Sequence, residues 1–128
     1  MLSLSELVQI HFCMQPTDMR KGFDSLAALV RDHLGCDPLS GHLFVFRSRR
    51  GDRVKMLCWQ RDGFTLYYRR LEEGTFRFPA ATDANAHSVE VSSQELALLL
   101  WGIDPSSVVR QKRYSRPLDT TNPAVAAR

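Results

Sequence analysis

The sequence predicts a single α+β domain in which an antiparallel sheet of four to five strands is covered by two amphipathic helices. The chain has 128 residues, of which 44% are hydrophobic, and this is enough for one buried core. Apolar residues recur at three- and four-residue steps in two segments, as in amphipathic helices. Between them, strand-like runs are separated by short turns that contain glycine, as in antiparallel hairpins. The predicted order is β-α-β-β-β-β-α.

The first two predicted elements are a short strand and a helix. Apolar residues up to Phe12 favour a strand. Six apolar residues then follow the helical period, namely Met19, Phe23, Leu26, Ala27, Val30 and Leu34. Gly35 ends this helix, and Thr17 or Asp18 can cap its free amides. Because glycine is a poor helix former, a start nearer Gly22 is the alternative.

Four further strands form a predicted β-meander, over residues 43–46, 53–59, 64–71 and 75–78. Pro79 ends the meander, and residues 80–88 are expected to form a loop. A second helix then begins at Ser92, which forms a capping box with Glu95 ahead of a leucine-rich face. Pro105 ends that helix. We therefore expect one folded domain over residues 1–104 and a disordered basic tail over residues 105–128.

Basic residues are unevenly distributed along the chain. Lysine and arginine total 17 against 14 acids, a net charge of +3. Five basic residues and one acid lie within residues 47–55, and four basic residues with no acid lie within residues 110–116. A two-stranded ribbon tipped with arginines can enter a DNA groove or straddle phosphates. We predict DNA binding through Arg20, Lys21, Arg47, Arg49, Arg50, Arg53 and Lys55. A solvated hairpin tip is the alternative.

Arg20 and Lys21 belong to this set for an electrostatic reason. The helix dipole disfavours cations at an N-terminus, so these side chains gain nothing from the predicted helix and can face a phosphate or a carboxylate. The alternative is structural, with Asp18 pairing with Arg20 or Lys21.

Aromatic residues on the predicted sheet allow a second function, the binding of another protein. Lys55, Leu57 and Trp59 share one side of a strand, and a face that mixes charge with a large aromatic side chain can be left open for a partner. We therefore assign candidate partner-binding roles to Trp59 and Tyr67. Nearby aromatic residues such as Phe44 and Phe46 can either stack on bases or fill the core.

The residues do not form a recognisable catalytic set. The four histidines lie outside the sequence signatures of hydrolases and metalloproteases, and the glycines sit in turns rather than in a phosphate-binding loop. We expect a protein that is not an enzyme and that holds no cofactor and no metal. A metal-dependent nuclease that uses Asp18 is a third alternative.

The cellular compartment is predicted from the N-terminal sequence and from the number of cysteines. Three cysteines is an odd number in a chain without a secretory signal pattern, so we expect reduced thiols. A membrane-spanning helix needs about 18 consecutive apolar residues, and the sequence has no such run. We expect a cytoplasmic protein with no membrane partner.

Six segments in order carry a family resemblance: TDMRKGFD (17–24), DPLSGHLFVFR (37–47), RRGD (49–52), KMLCW (55–59), DG (62–63) and YRRLEEGTFRFP (68–79). Together they resemble the TnpB-type accessory protein of bacterial insertion sequences of the sixty-six family, over roughly residues 5–104. The resemblance implies a helper of transposition, encoded by the second small reading frame beside a separate transposase that carries the catalytic residues. The implied partners are DNA at the element ends, the transposase and other proteins of the same element.

Overall fold

A five-stranded sheet forms the centre of the computed structural model, which describes residues 7–79, 85–102 and 114. The elements are β1 (Ile10–Cys13), α1 (Phe23–Asp32), β2 (Leu43–Arg47), β3 (Arg53–Gln60), β4 (Gly63–Arg70), β5 (Ser88–Val91) and α2 (Ser93–Trp101). The strand order is β4-β3-β2-β1-β5, with β1 parallel to β2 and all other neighbours antiparallel. The predicted α+β class, with a mostly antiparallel sheet and two helices, is confirmed.

The two helices cover opposite faces of the sheet. Leu26 and Val30 of α1 pack on the face that carries Phe44, Phe46 and Leu57, which we call the α1 face. Three leucines of α2 pack on the other face, the α2 face, with Leu43, Val45, Val54, Met56 and Cys58. An antiparallel sheet with a single apolar face would carry both helices on that face. The continuous burial of residues 43–46 and 54–58 shows instead a sheet that is covered on both sides.

The predicted strand over residues 75–78 is wrong, because these residues form no strand in the structure. They form an extended segment that buries Phe76 on the α2 face and donates a hydrogen bond from Phe76 N to Gly51 O (2.8 Å). The fifth strand is β5, which follows the predicted loop in the sequence and pairs with β1. An extended segment that is rich in aromatic residues has the composition of a β-strand whether or not its backbone pairs with a neighbouring strand. Composition alone therefore predicted a strand where none is paired.

The helix ends agree with part of the prediction. α1 begins after Gly22, the alternative start, and no side chain caps it. The capping box of α2 is confirmed, with Glu95 N donating to Ser92 Oγ (3.1 Å) and Ser92 N donating to Glu95 Oε1 (3.0 Å). Gly102, with φ +67°, ends this helix. The predicted end at Pro105 is wrong, because the helix already ends at Gly102. The predicted disordered tail, apart from Tyr114, lies outside the described residues.

Candidate nucleic-acid interface

Two basic segments that are distant in the sequence lie side by side in the structure. Residues 17–21 follow β1, and residues 48–52 form the turn between β2 and β3, which we call the hairpin tip. The buried Thr17 joins the two by donating its N–H to Arg47 O (2.8 Å). Between them lies a cleft of about 480 Å³, the basic cleft, whose lining includes Arg20, Arg49, Arg50, Arg53 and Tyr68.

Three backbone hydrogen bonds hold the hairpin tip in place, one within the turn and two from the segment that follows β4. Gly51 N donates to Ser48 O within the turn (3.1 Å), Phe76 N donates to Gly51 O (2.8 Å) and Leu71 N donates to Asp52 O (2.8 Å). Gly51 has φ +80°, and a Cβ atom there would lie 3.4 Å from the Phe78 ring. A Cβ atom at that distance makes an ordinary van der Waals contact, so the cost of a side chain at this position comes from the strained backbone conformation. The two arginines of the tip are thus carried by a rigid turn.

Arg53 and Lys55 hold the ring of Tyr68 at the wall of the basic cleft. Arg53 Nη1 donates to the Tyr68 hydroxyl (3.3 Å), and this contact raises the pKa of the guanidinium. The Lys55 ammonium lies 4.5 Å from the centroid of the Tyr68 ring and donates to Lys21 O (2.6 Å). Only 6% of Lys55 is exposed. Lys55 therefore supports the cleft from beneath and does not reach its surface.

Arg47 and the side chain of Lys21 stand apart from this arrangement. The Arg47 guanidinium donates to Met14 O (3.1 Å) and lies 5.2 Å from the centroid of the Phe78 ring. Phe78 packs on the α2 face, whereas Tyr68, which lines the cleft, is in register with Lys55 and Phe46 and so lies on the α1 face. Lys21 contributes its carbonyl to Lys55. Of the seven candidate DNA-binding residues, the structure brings together Arg20, Arg49, Arg50 and Arg53 at one cleft.

Asp18 pairs with Arg20 at the rim of the basic cleft. Arg20 Nε and Nη2 donate to the Asp18 carboxylate at 2.7 to 3.1 Å, and Asp18 Oδ1 also accepts from Arg20 N (2.9 Å). This is the structural alternative that the sequence left open for Asp18. The predicted cap of α1 by Asp18 is not formed. The Arg20 side chain is 91% exposed, so a competing anion can reach its outer surface.

The Asp18 pair gives a pH prediction. Hydrogen bonds from the Arg20 side chain and backbone N–H lower the pKa of Asp18 from 3.8 to about 2. Because the pKa is lowered in the folded state, the pair stabilises the fold above about pH 4, and this stabilisation is lost as the pH falls toward 2. Carbon NMR of the Asp18 carboxyl should show the titration near pH 2. A midpoint near 3.8 would show that the pair does not form in solution.

The two candidate partner-binding residues lie on opposite faces of the sheet. Tyr67 is paired with Met56 and packs against the core of the α2 face. Trp59 lies on the α1 face, where its ring meets that of Phe64 edge to face, with 5.0 Å between centroids. The prediction of an open sheet face around Trp59 is wrong, since Leu57 on that face is fully buried in the α1 cluster. A partner role for either residue stays a prediction.

Tyr68 is the site residue that the sequence reasoning missed. It is 48% exposed and stands directly opposite Lys55 in the pairing of β3 with β4. The signal was present in the sequence, because the hairpin register places these two positions on one face.

The structure shows three free cysteines, and burial raises the pKa of the Cys13 and Cys58 thiols. Within the described residues, no group of three or more metal-ligating side chains converges.

Comparison with known proteins identifies the family. Two proteins of Sinorhizobium fredii, both uncharacterized, are each 38% identical to this chain. The first, y4jC, aligns over 117 residues, which is 91% of this chain and 97% of that protein. The second, y4hO, aligns over 104 residues, or 81% of this chain and 88% of that protein. No solved structure matches, and no helix of the described residues has the length and apolarity needed to cross a membrane. A family model described as IS66 Orf2 like protein matches residues 8–110, so the chain belongs to this family of insertion-sequence accessory proteins.

Proposed function

We propose that this protein binds DNA of its insertion sequence through the basic cleft and holds the element ends for the transposase, without catalysing cleavage itself. This role would be performed in the cytoplasm. The observation that carries the proposal is the meeting of Arg20 with Arg49, Arg50 and Arg53 around one cleft. Clustered guanidinium groups are suited to phosphate oxygens, which they can bind through two parallel hydrogen bonds.

The charges of the hairpin tip favour an external anion. Within the described residues, the ion pairs of the cleft involve Arg20 with Asp18 and Arg53 with Asp52, and neither Arg49 nor Arg50 is paired with an acid. Both side chains are exposed on a turn that is braced by the segment after β4. Binding of a phosphate there would require little rearrangement of the protein, which limits the entropic cost of association.

The salt dependence of binding tests the proposal. Four arginines that each neutralise one phosphate of a duplex predict a slope of log K against log salt of about −3.6. Replacing Arg49 and Arg50 with alanine should lower the affinity and reduce the slope by about 2. We would measure fluorescence anisotropy at three salt concentrations, with a duplex from the element end and a scrambled duplex of equal length.

A matched control removes two positive charges outside the cleft. Arg31 lies near the end of α1, and Arg61 lies in the turn at the far end of β3. The double variant Arg31→Ala with Arg61→Asn has the same net charge as the cleft variant. It should retain the slope of the unmodified protein. Equal losses in both variants would indicate diffuse charge rather than a site, and no binding at low salt would overturn the proposed function.

A further inference from the structure

We infer that the basic cleft takes single-stranded DNA, with one unpaired base stacked on Tyr68 and the adjoining phosphates held by the arginines of the rim. The inference rests on the proposed function, since it names the form of DNA that the same site would bind. It follows from the position and support of one aromatic ring.

The Tyr68 ring is fixed on one side and open on the other. The Lys55 ammonium lies against the ring, and Lys55 itself is almost fully buried. It therefore occupies the side of the ring that faces the protein. Arg53 holds the hydroxyl group. Tyr68 as a whole residue is 48% exposed, and it lines the basic cleft. A fixed aromatic ring with one free face is the usual platform for a base of single-stranded nucleic acid.

The arginines stand where the backbone of such a strand would pass. Arg49 and Arg50 come from the hairpin tip and Arg20 from residues 17–21, so cations border the cleft from two segments while Tyr68 forms part of its wall. Single-stranded nucleic acid is bound by this combination of a basic groove and an aromatic platform.

The size of the cleft and the position of Tyr68 at its wall favour an unpaired nucleotide over a duplex. Its volume of about 480 Å³ lies in the range of sites that enclose a small molecule. A base inside a duplex is covered on both faces by its neighbours, and it must leave the stack before a protein ring can contact its face. A base of single-stranded DNA can therefore stack on the Tyr68 ring at the wall of the cleft, whereas a base inside an intact duplex cannot.

The test compares two oligonucleotides and two variants of the full chain. The probes are a labelled 12-nucleotide thymidine strand and a mixed-sequence duplex of 12 base pairs, measured by anisotropy at one low salt concentration. We expect the unmodified protein to bind the single strand more tightly. Tyr68→Leu should weaken binding of the single strand about tenfold and change duplex binding less than twofold. Tyr68→Phe, which keeps the ring, should retain most of the single-strand affinity.

The outcomes separate this inference from the proposed function. If Tyr68→Leu weakens both probes equally, or weakens neither, base stacking is excluded while DNA binding by the cleft stands. If the unmodified protein binds neither probe at low salt, the proposed function fails and the inference fails with it. Should Tyr68→Leu not fold, Tyr68→Trp gives a second measurement. Its added fluorescence should be quenched by the single strand and not by the duplex, and the absence of quenching would overturn the inference.

Discussion

Replacing Phe46 with alanine is expected to lower the free energy of unfolding by about 3 to 5 kcal/mol. Phe46 is fully buried on β2 and belongs to the cluster that α1 covers with Leu26 and Val30. Truncation removes most of a large apolar side chain and leaves a cavity that a close-packed interior fills only in part. Because a domain of this size is stable by about 5 to 15 kcal/mol, the loss would be a large fraction of the total. Urea unfolding followed by circular dichroism measures it.

The same position decides between two interpretations of the aromatic residues in β2. The sequence allows Phe46 to be either a base-stacking platform or a core residue. The structure places it in the core, so Phe46→Leu should cost less stability than the alanine variant and leave DNA affinity unchanged. A Phe46→Leu variant that stays folded but loses single-strand binding as strongly as Tyr68→Leu would contradict this packing.

The elements that were predicted correctly are those encoded by local patterns. The capping box at Ser92 and Glu95, the helical period of α1 and the glycine turns between β2, β3 and β4 all involve residues close in sequence. The parallel pairing of β1 with β2 and the antiparallel pairing of β1 with β5 join residues that are about 30 and 80 positions apart. Such pairings depend on how the helices cover the sheet, and strand composition alone does not specify them.

The candidate site shows the same division. The density of arginine around the hairpin tip is visible in the sequence, and four of the seven candidates do line one cleft. The sequence alone could not distinguish the other three candidates, Lys21, Arg47 and Lys55, from the four that line the cleft. Lysine is rarely fully buried, and the group that satisfies Lys55 is the backbone carbonyl of Lys21. A carbonyl is present at every residue, so no residue type marks this contact in the sequence.

Lys55→Met is expected to lower the free energy of unfolding by about 2 kcal/mol, although methionine fills a similar volume. The change removes the donor to the partly buried Lys21 O and the cation beside Tyr68, and a carbonyl left without a donor away from water costs about 1 to 3 kcal/mol. Lys21→Ala is the matched control, since it keeps the carbonyl and should change stability by less than about 0.5 kcal/mol. Urea unfolding of both variants measures the difference.

The Lys55 variant also separates support of the cleft from contact with DNA. If Lys55 neutralised a phosphate of a single strand, its removal would reduce the salt slope by about 0.7. Because the ammonium is buried under Tyr68, we expect weaker single-strand binding with an unchanged slope. The ring would lose its support while the number of phosphates held by the rim stays the same. A reduced slope would show that Lys55 leaves its buried position to reach the DNA, and the cleft would then have a fifth cation.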